Sequence, residues 1–371
     1  MNRTTTSSLA LLVAVLATSG AANADDGLDL KVYGDTSFSA RKPVRTSPDD
    51  VHTTFSAASL DLFPTYSIDR LSFLAEIMFE GNTNNEIGVD LERVQATYMF
   101  ADWLRIRAGR MHTAFGYYND AYHHGKFFEL TTSRPYMTNF EDGGGMLMAH
   151  LVGIGLDGKV PVGDLGDFHY DLEVGNGRGR STDEVPSFIA RTDTKQVNAR
   201  LRFMPSFADG LILGVNGLYD DIPGSTIDPA TPPDQVNVIA HTLHESALGA
   251  HVAYMENGFH LLAEGAVITH RETVTSTTYR HYDAFFEGGY SIKDFTPYVR
   301  YEHIQFDDIP DPFYSTGPLG GTGKLLDFKV GMKWLATENV ALKVEGRHTA
   351  TDGAAKLPAM SQVSVQCAFG F

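Results

Sequence analysis

The chain has 371 residues, with 29 lysines and arginines against 46 aspartates and glutamates, for a formal charge of −17. So acidic a chain is a poor ligand for nucleic acid, and its single cysteine, Cys367, excludes an internal disulfide. Length alone would allow two soluble domains, but no linker divides the sequence, and no apolar run reaches the ~18 residues of a spanning helix.

The first element is an expected export signal over residues 1–24. Arg3 precedes an apolar run from Leu9 to Ala17, and Ala22-Asn23-Ala24 offers small residues at the spacing of a cleavage site before Asp25. The run is about half the ~20 residues that would anchor a helix in a bilayer. Removing the signal takes Arg3 with it and leaves a charge of −18. Exported proteins meet an oxidising compartment, where sparing use of cysteine is expected.

The remainder, 25–371, reads as one domain built on period-two alternation. Phe168, Tyr170, Leu172 and Val174 alternate with His169, Asp171 and Glu173; Val197, Ala199, Leu201 and Phe203 alternate with Gln196, Asn198, Arg200 and Arg202. Leu326, Phe328, Val330, Met332 and Trp334 alternate with Asp327, Lys329, Gly331 and Lys333, and Val340, Leu342 and Val344 with Ala341, Lys343 and Glu345. One face is apolar and the other charged, as a strand between lipid and water requires. A helix would need steps of three and four. About sixteen segments fit, at 28–40, 54–63, 71–80, 89–100, 103–111, 146–159, 167–176, 195–204, 210–219, 243–255, 259–270, 281–291, 295–306, 325–335, 339–349 and 360–371. The expected fold class is all-β: a transmembrane antiparallel barrel of about 16 strands, an even number as in bacterial barrels. Such strands need only ~9–11 residues with every other one apolar, which hides them from a hydropathy scan.

The connections alternate in length. Ala101-Asp102, Glu256-Asn257-Gly258, Ile292-Lys293-Asp294 and Ala336-Thr337-Glu338 are short; 41–53, 112–145, 177–194, 220–242 and 307–324 are long. Outer-membrane barrels have short periplasmic turns and long external loops. Tyr98, Phe100 and Trp103 flank one short turn and Trp334 precedes another. That placement fits aromatic girdles at a membrane interface, and also the ordinary strand preference of aromatics.

The chain ends on an alternating segment, Val363-Ser364-Val365-Gln366-Cys367-Ala368-Phe369-Gly370-Phe371. Here it resembles Gram-negative outer-membrane porins, whose last strand ends in Phe. The resemblance implies recognition of Phe371 by the barrel-assembly machinery, contact with outer-membrane lipid and lipopolysaccharide, and a homotrimer. Arg105-Ile106-Arg107-Ala108-Gly109-Arg110, leading into Thr113-Ala114-Phe115-Gly116-Tyr117, is similar to the strand-to-loop passage of phosphate-selective porin O/P-like and related porin-like families.

The resemblance also implies that the long connection 112–145 folds inward as a constriction loop. Loops of that length usually have a function. The residues expected to line the pore and set its selectivity are Arg105, Arg107 and Arg110, a basic ladder entering the loop, with Lys126, Glu129, Arg134, Glu141 and Asp142 within it. Charged rings of one sign set ion preference, so the ladder favours anions, whereas the net charge favours cations at the mouths. The inward parity also gathers Arg93, Arg200, Arg202, Arg300, Lys329, Lys333, Lys343 and Arg347 with Glu76, Glu173, Glu245, Glu264, Glu287, Glu302 and Glu345. Most of these are expected to pair across strands.

No cofactor or metal is expected. His123-His124 with His112, Asp120 and Glu129 offers metal-binding side chains, but at no familiar zinc spacing. Asp220, Asp221, Asp228 and Asp234, like Asp307, Asp308 and Asp311, read as solvated acidic loops, with calcium or cation-bridged lipopolysaccharide as the alternative. Gly143-Gly144-Gly145 lacks the Lys-Ser/Thr of a phosphate-binding loop and is expected to let the chain re-enter the wall. The functional expectation is a porin for passive diffusion of small hydrophilic solutes, anions among them, without enzymatic activity. The alternatives are a barrel enzyme, lipase- or protease-like, which needs a Ser-His or Asp-His pair on the outer wall or rim, and a structural or adhesive barrel.

Overall fold

The computed structural model describes residues 27–43, 51–81, 84, 86–122, 125–139, 145–179, 182, 194–227, 238–317, 319–352 and 357–371. The expected export signal, Glu141, Asp142, His123, His124, Asp228, Asp234, Gly143 and Gly144 lie outside these residues.

The strands in chain order are β1 (Leu28–Pro43), β2 (His52–Ile68), β3 (Leu71–Gly81), β4 (Ile87–Ala101), β5 (Leu104–His112), β6 (His150–Pro161), β7 (Gly166–Asn176) and β8 (Lys195–Pro205). They continue with β9 (Leu211–Ile227), β10 (Val238–Tyr254), β11 (Phe259–Glu272), β12 (Thr278–Tyr290), β13 (Phe295–Gln305), β14 (Lys324–Thr337), β15 (Val340–Thr351) and β16 (Met360–Gly370). Each pairs antiparallel with its sequence neighbours, and β1 pairs with β16, closing a 16-stranded barrel. Backbone N–H and C=O groups are thereby satisfied without an open edge, as hydrocarbon demands. No helix among the described residues is long and apolar enough to cross a membrane.

Alternation decides which side chains face in. On β12, Tyr282, Ala284 and Phe286 point outward while His281, Asp283, Phe285 and Glu287 are buried inside. On β14, Phe328 and Val330 are exposed while Asp327, Lys329 and Lys333 are buried. At the end with short turns, Phe295 and Trp334 stack across β13 and β14 with centroids 5.8 Å apart, and Phe259 packs on Tyr290 at 4.8 Å. Trp103 and Phe100 are exposed at the same end. The tight turns there use left-handed residues, Asp69, Asn257 and Lys293.

Four strand ends differ from the sequence expectation by four residues or more. Strand β2 continues through Pro64, which pairs with Leu30 of β1, while the pairing of β2 with β3 skips Phe63 and Pro64. A proline is tolerated where its missing N–H faces no ladder. Strands β9 and β10 extend to Ile227 and back from Val238, so Asp220 and Asp221 are strand residues rather than members of a long loop. Pro223 pairs with Thr242 of β10 beyond the last β8–β9 pair, Val197 with Tyr219, so it too has a ladder on one side only. Asp220 is buried and accepts the Arg178 N–H at 2.6 Å, which corrects its reading as a solvated loop acid. Strand β6 starts at His150, and Met146, Leu147 and Met148 before it are buried within the preceding connection.

Candidate channel interior

Residues 113–149 join β5 to β6 at the end where connections are long. The only α-helical structure among the described residues of this segment is a turn at Tyr118–Ala121. A segment with so little secondary structure leaves its peptide groups without partners of its own, and buried ones must be satisfied from elsewhere. Here the partners are charged side chains of the inner wall. Glu173 on β7 accepts the Ala114 N–H at 2.8 Å, and Glu264 on β11 accepts those of Tyr117 and Tyr118 at 2.9 and 3.0 Å. Glu302 on β13 accepts from Met137, and Glu345 on β15 from Thr132, each at 3.0 Å. Cations take the carbonyls. Arg200 donates to Gly116 at 2.8 Å, Arg300 to Ser133 at 2.6 Å, Lys333 to Phe127 at 2.5 Å, and Lys343 to Lys126 at 2.5 Å and Thr131 at 2.9 Å. The described residues of the segment therefore lie inside the barrel, fastened to the faces of β7, β8, β11 and β13–β15.

The approach is close. Gly116 has φ +79, and a Cβ there would stand 1.8 Å from Glu264 Oε1, so both backbone conformation and space exclude a side chain. Tyr118 is fully buried and carries the Arg300 guanidinium 5.1 Å from its ring centroid, with Arg134 5.3 Å away. Burial raises the Tyr118 and Tyr122 hydroxyls well above the usual phenol range.

The expected ladder divides. Arg105 and Arg107 share the inner face, and the register runs Arg105–Asp157–Asp171–Arg200 across β5 to β8. Asp157 and Asp171 oppose one another directly, a repulsive pairing unless cations flank it. Arg105 pairs with Asp157, Arg107 lies 3.0 Å from Asp157 and 3.1 Å from Glu173, and Arg200 lies 2.9 Å from Asp171. Arg105 stays 52% exposed in its side chain, whereas Arg107 is only 17% exposed. Arg110 is three residues beyond Arg107 and buried; its Nε donates to the Glu92 carbonyl at 2.8 Å.

Of the expected loop residues, Arg134 is buried and holds the loop to itself. It donates to Thr138 O at 2.8 Å, Tyr122 O at 3.3 Å and Asn119 Oδ1 at 3.0 Å. Lys126, partly exposed, lies 3.1 Å from buried Glu129. Burial pushes the Glu129 carboxyl upward, but Lys126, Lys343 and Arg134 outweigh it and hold it below the usual range. Asp120, grouped in the sequence with His112, His123, His124 and Glu129 as metal-type side chains, lies 2.9 Å from Arg200 and near Arg202. Burial opposes the charge there too, and the two arginines still hold its carboxyl down at about 2.

What remains open lies on the other side. A cavity of about 240 Å³ runs between the loop and the inner faces of β1–β5, lined by Lys31, Tyr33, Phe63, Leu74, Arg93 and Phe128 together with Asp29, Thr65, His112 and Asp120.

A second knot was not legible in the sequence. Asp311, buried rather than solvated, accepts from His270 Nδ1 and His281 Nε2, each at 2.8 Å, and its other oxygen takes the N–H groups of Phe313 and Tyr314. His270 Nε2 reaches Glu245 at 3.2 Å, and Glu245 lies 2.9 Å from Arg178. Burial would raise the Asp311 carboxyl, but His270 and His281 hold it well below the usual range. His270, His281 and Asp311 bring three ligand-type atoms within 4.8 Å of one another. The hydrogen bonds account for this grouping without an ion: the Asp307 N–H points at His281 Nδ1 at 3.3 Å, leaving Nε2 as the protonated, donating nitrogen. The knot pins the connection 306–323 to β10, β11 and β12. On the outer face, His244 Nδ1 lies 2.5 Å from Asp221 Oδ1, and Tyr219 donates to the same carboxylate at 3.0 Å.

Neither a family model nor a curated protein matches the sequence. Solved structures do. An anion-selective porin from Comamonas acidovorans is similar at a TM-score of 0.62 and 12% identity, over 93% of this chain and 99% of that one. OmpF of Salmonella typhi, in complex with daunomycin, is similar at 0.58 and 16% identity over 94% and 99%. OmpT, an outer membrane protein of Vibrio cholerae in trimer form, is similar at 0.58 and 9% over 93% and 100%. The chain has the fold of the outer-membrane porins.

Proposed function

We propose that the protein is an outer-membrane porin, a passive channel for small hydrophilic solutes and ions with residues 112–145 as its constriction. The observation that carries this reading is a closed barrel whose outer face is apolar and whose inner charges fasten a loop across the lumen, leaving a cavity of mixed charged and aromatic lining beside it. An irregular segment at membrane depth is tolerated where it is buried in protein or lines a water-filled cavity. The finer parts of the proposal are export by residues 1–24, assembly through Phe371, a homotrimer set in lipid and lipopolysaccharide, and kinship with phosphate-selective porin O/P-like proteins through Arg105–Tyr117. Stepwise conductance of the refolded protein in a planar bilayer is the test, with a salt gradient to give the sign of selectivity. A folded protein that never conducts would overturn the reading.

The Asp221–His244 pair on the outer wall favours a second reading, a barrel hydrolase. No serine hydroxyl hydrogen-bonds His244 among the described residues, so the pair lacks the nucleophile that a Ser–His mechanism needs. Phospholipid and peptide hydrolysis by the reconstituted protein, lost in His244→Ala, would establish it.

A further inference from the structure

The wall of the cavity beside the loop is not uniformly polar. Phe63 and Leu74 occupy inward positions on β2 and β3, where a purely aqueous channel would carry polar side chains. Tyr33 meets Phe63 edge-on with centroids 5.3 Å apart, and on its other side meets Phe128 of the loop at 5.4 Å. These groups form one continuous aromatic flank reaching from β2 through β1 to the constriction segment.

Cations border the flank. The Arg93 guanidinium lies 5.6 Å from the Phe63 centroid, and its Nε faces Glu76 while its terminal nitrogens hydrogen-bond no described residue. Lys31 keeps 57% side-chain exposure, and its ion-pair partner Asp29, 3.6 Å away, is 61% exposed. So loose a pair is screened by water and yields readily to another anion. The remaining acid of the lining, Asp120, is committed to Arg200 and Arg202. A planar guanidinium beside an aromatic face suits a carboxylate joined to a ring, because the ring stacks while the carboxylate is met by paired N–H groups. The volume, about 240 Å³, is below the ~300–1,000 Å³ of sites that hold drug-sized ligands, which limits the solute to roughly one ring.

We propose that this passage is a recognition site for single-ring aromatic carboxylates, held between the Tyr33–Phe63–Phe128 flank and the cations Arg93 and Lys31. The proposal rests on the channel reading and narrows its solute class.

The experiment is single-channel recording of the full-length protein in potassium chloride, with benzoate or acetate added to one side. The two probes carry the same charge and differ in the ring. Benzoate is expected to interrupt the chloride current in a concentration-dependent way, and acetate is not. Phe63→Ala should weaken the block by about three- to tenfold, the loss of one aromatic pair, and Phe63→Tyr should retain it. Lys31→Gln should weaken it without altering the dependence on the ring. Heat-modified gel mobility checks that each variant is folded; should Phe63→Ala fail to fold, Phe128→Ala is the substitute. Channels that conduct chloride but treat benzoate and acetate alike would overturn the inference and leave the porin reading standing. Folded wild-type protein with no channels at all would overturn both.

Discussion

At the scale of single residues, the inner-wall charges act on a backbone more than on a solute. Lys343 illustrates the point, since its ammonium holds two loop carbonyls, those of Lys126 and Thr131. Lys343→Met keeps the bulk and removes the donor, leaving both carbonyls unpaired at a cost of about 1–3 kcal/mol each if they stay buried. The expected result is a noisier open channel and faster proteolysis within 113–139; a channel as quiet as wild type would mean the carbonyls find other donors. Asp120 gives a pH dependence of known sign. Its folded-state carboxyl titrates at about 2, below the ordinary 3.8, so its contribution to loop docking is complete above about 4 and is lost as pH falls towards 2. The side chain keeps 42% exposure, so water screens the pair and the effect on global stability is small. The share of the current noise that Asp120 suppresses should appear only below about pH 4, read as the difference between wild type and Asp120→Asn, which should show that noise already at neutral pH.

At the scale of elements, the strands were legible because a lipid-facing strand has to alternate, and alternation survives any choice of apolar residue. Two of the boundaries that moved, the ends of β2 and β9, lie at prolines. A proline disfavours a strand that is paired on both sides, but Pro64 and Pro223 each have a ladder on one side only, which a one-dimensional pattern cannot reveal. The interior was less legible. Parity correctly turned Arg300, Lys329 and Glu345 inward, but their partners are loop peptide groups more than 160 residues away in sequence, and those are set by how a loop folds rather than by any local pattern. The knot at Asp311 was hidden for the same reason, its histidines lying on two strands and its carboxylate on a connection. Arg105 and Arg107 remain the better test of selectivity. With Arg105→Glu and Arg107→Glu, the acids Asp157, Asp171 and Glu173 lose their neighbouring cations on β5, and the reversal potential in a salt gradient should move towards cations. An unmoved potential would make the two arginines wall struts.

At the scale of the whole molecule, the barrel is lopsided. The loop is bound to the later strands and leaves the passage along β1–β5. Removing 118–139 should therefore raise single-channel conductance several-fold, since the lumen of a 16-stranded barrel is a wide aqueous channel when nothing crosses it. Unchanged conductance in a folded variant would mean that the loop does not limit flow. The same lopsidedness has a consequence for the order of assembly. Lys126 is 217 residues from Lys343 in sequence, and Ser133 is 167 from Arg300. Contacts that distant form late, so before β11 and β13–β15 have been laid down the loop has only its anchors on β7 and β8, Glu173 and Arg200, to dock against. The throat is therefore fixed on one side by strands made soon after it and closed on the other only when the cylinder itself is nearly complete.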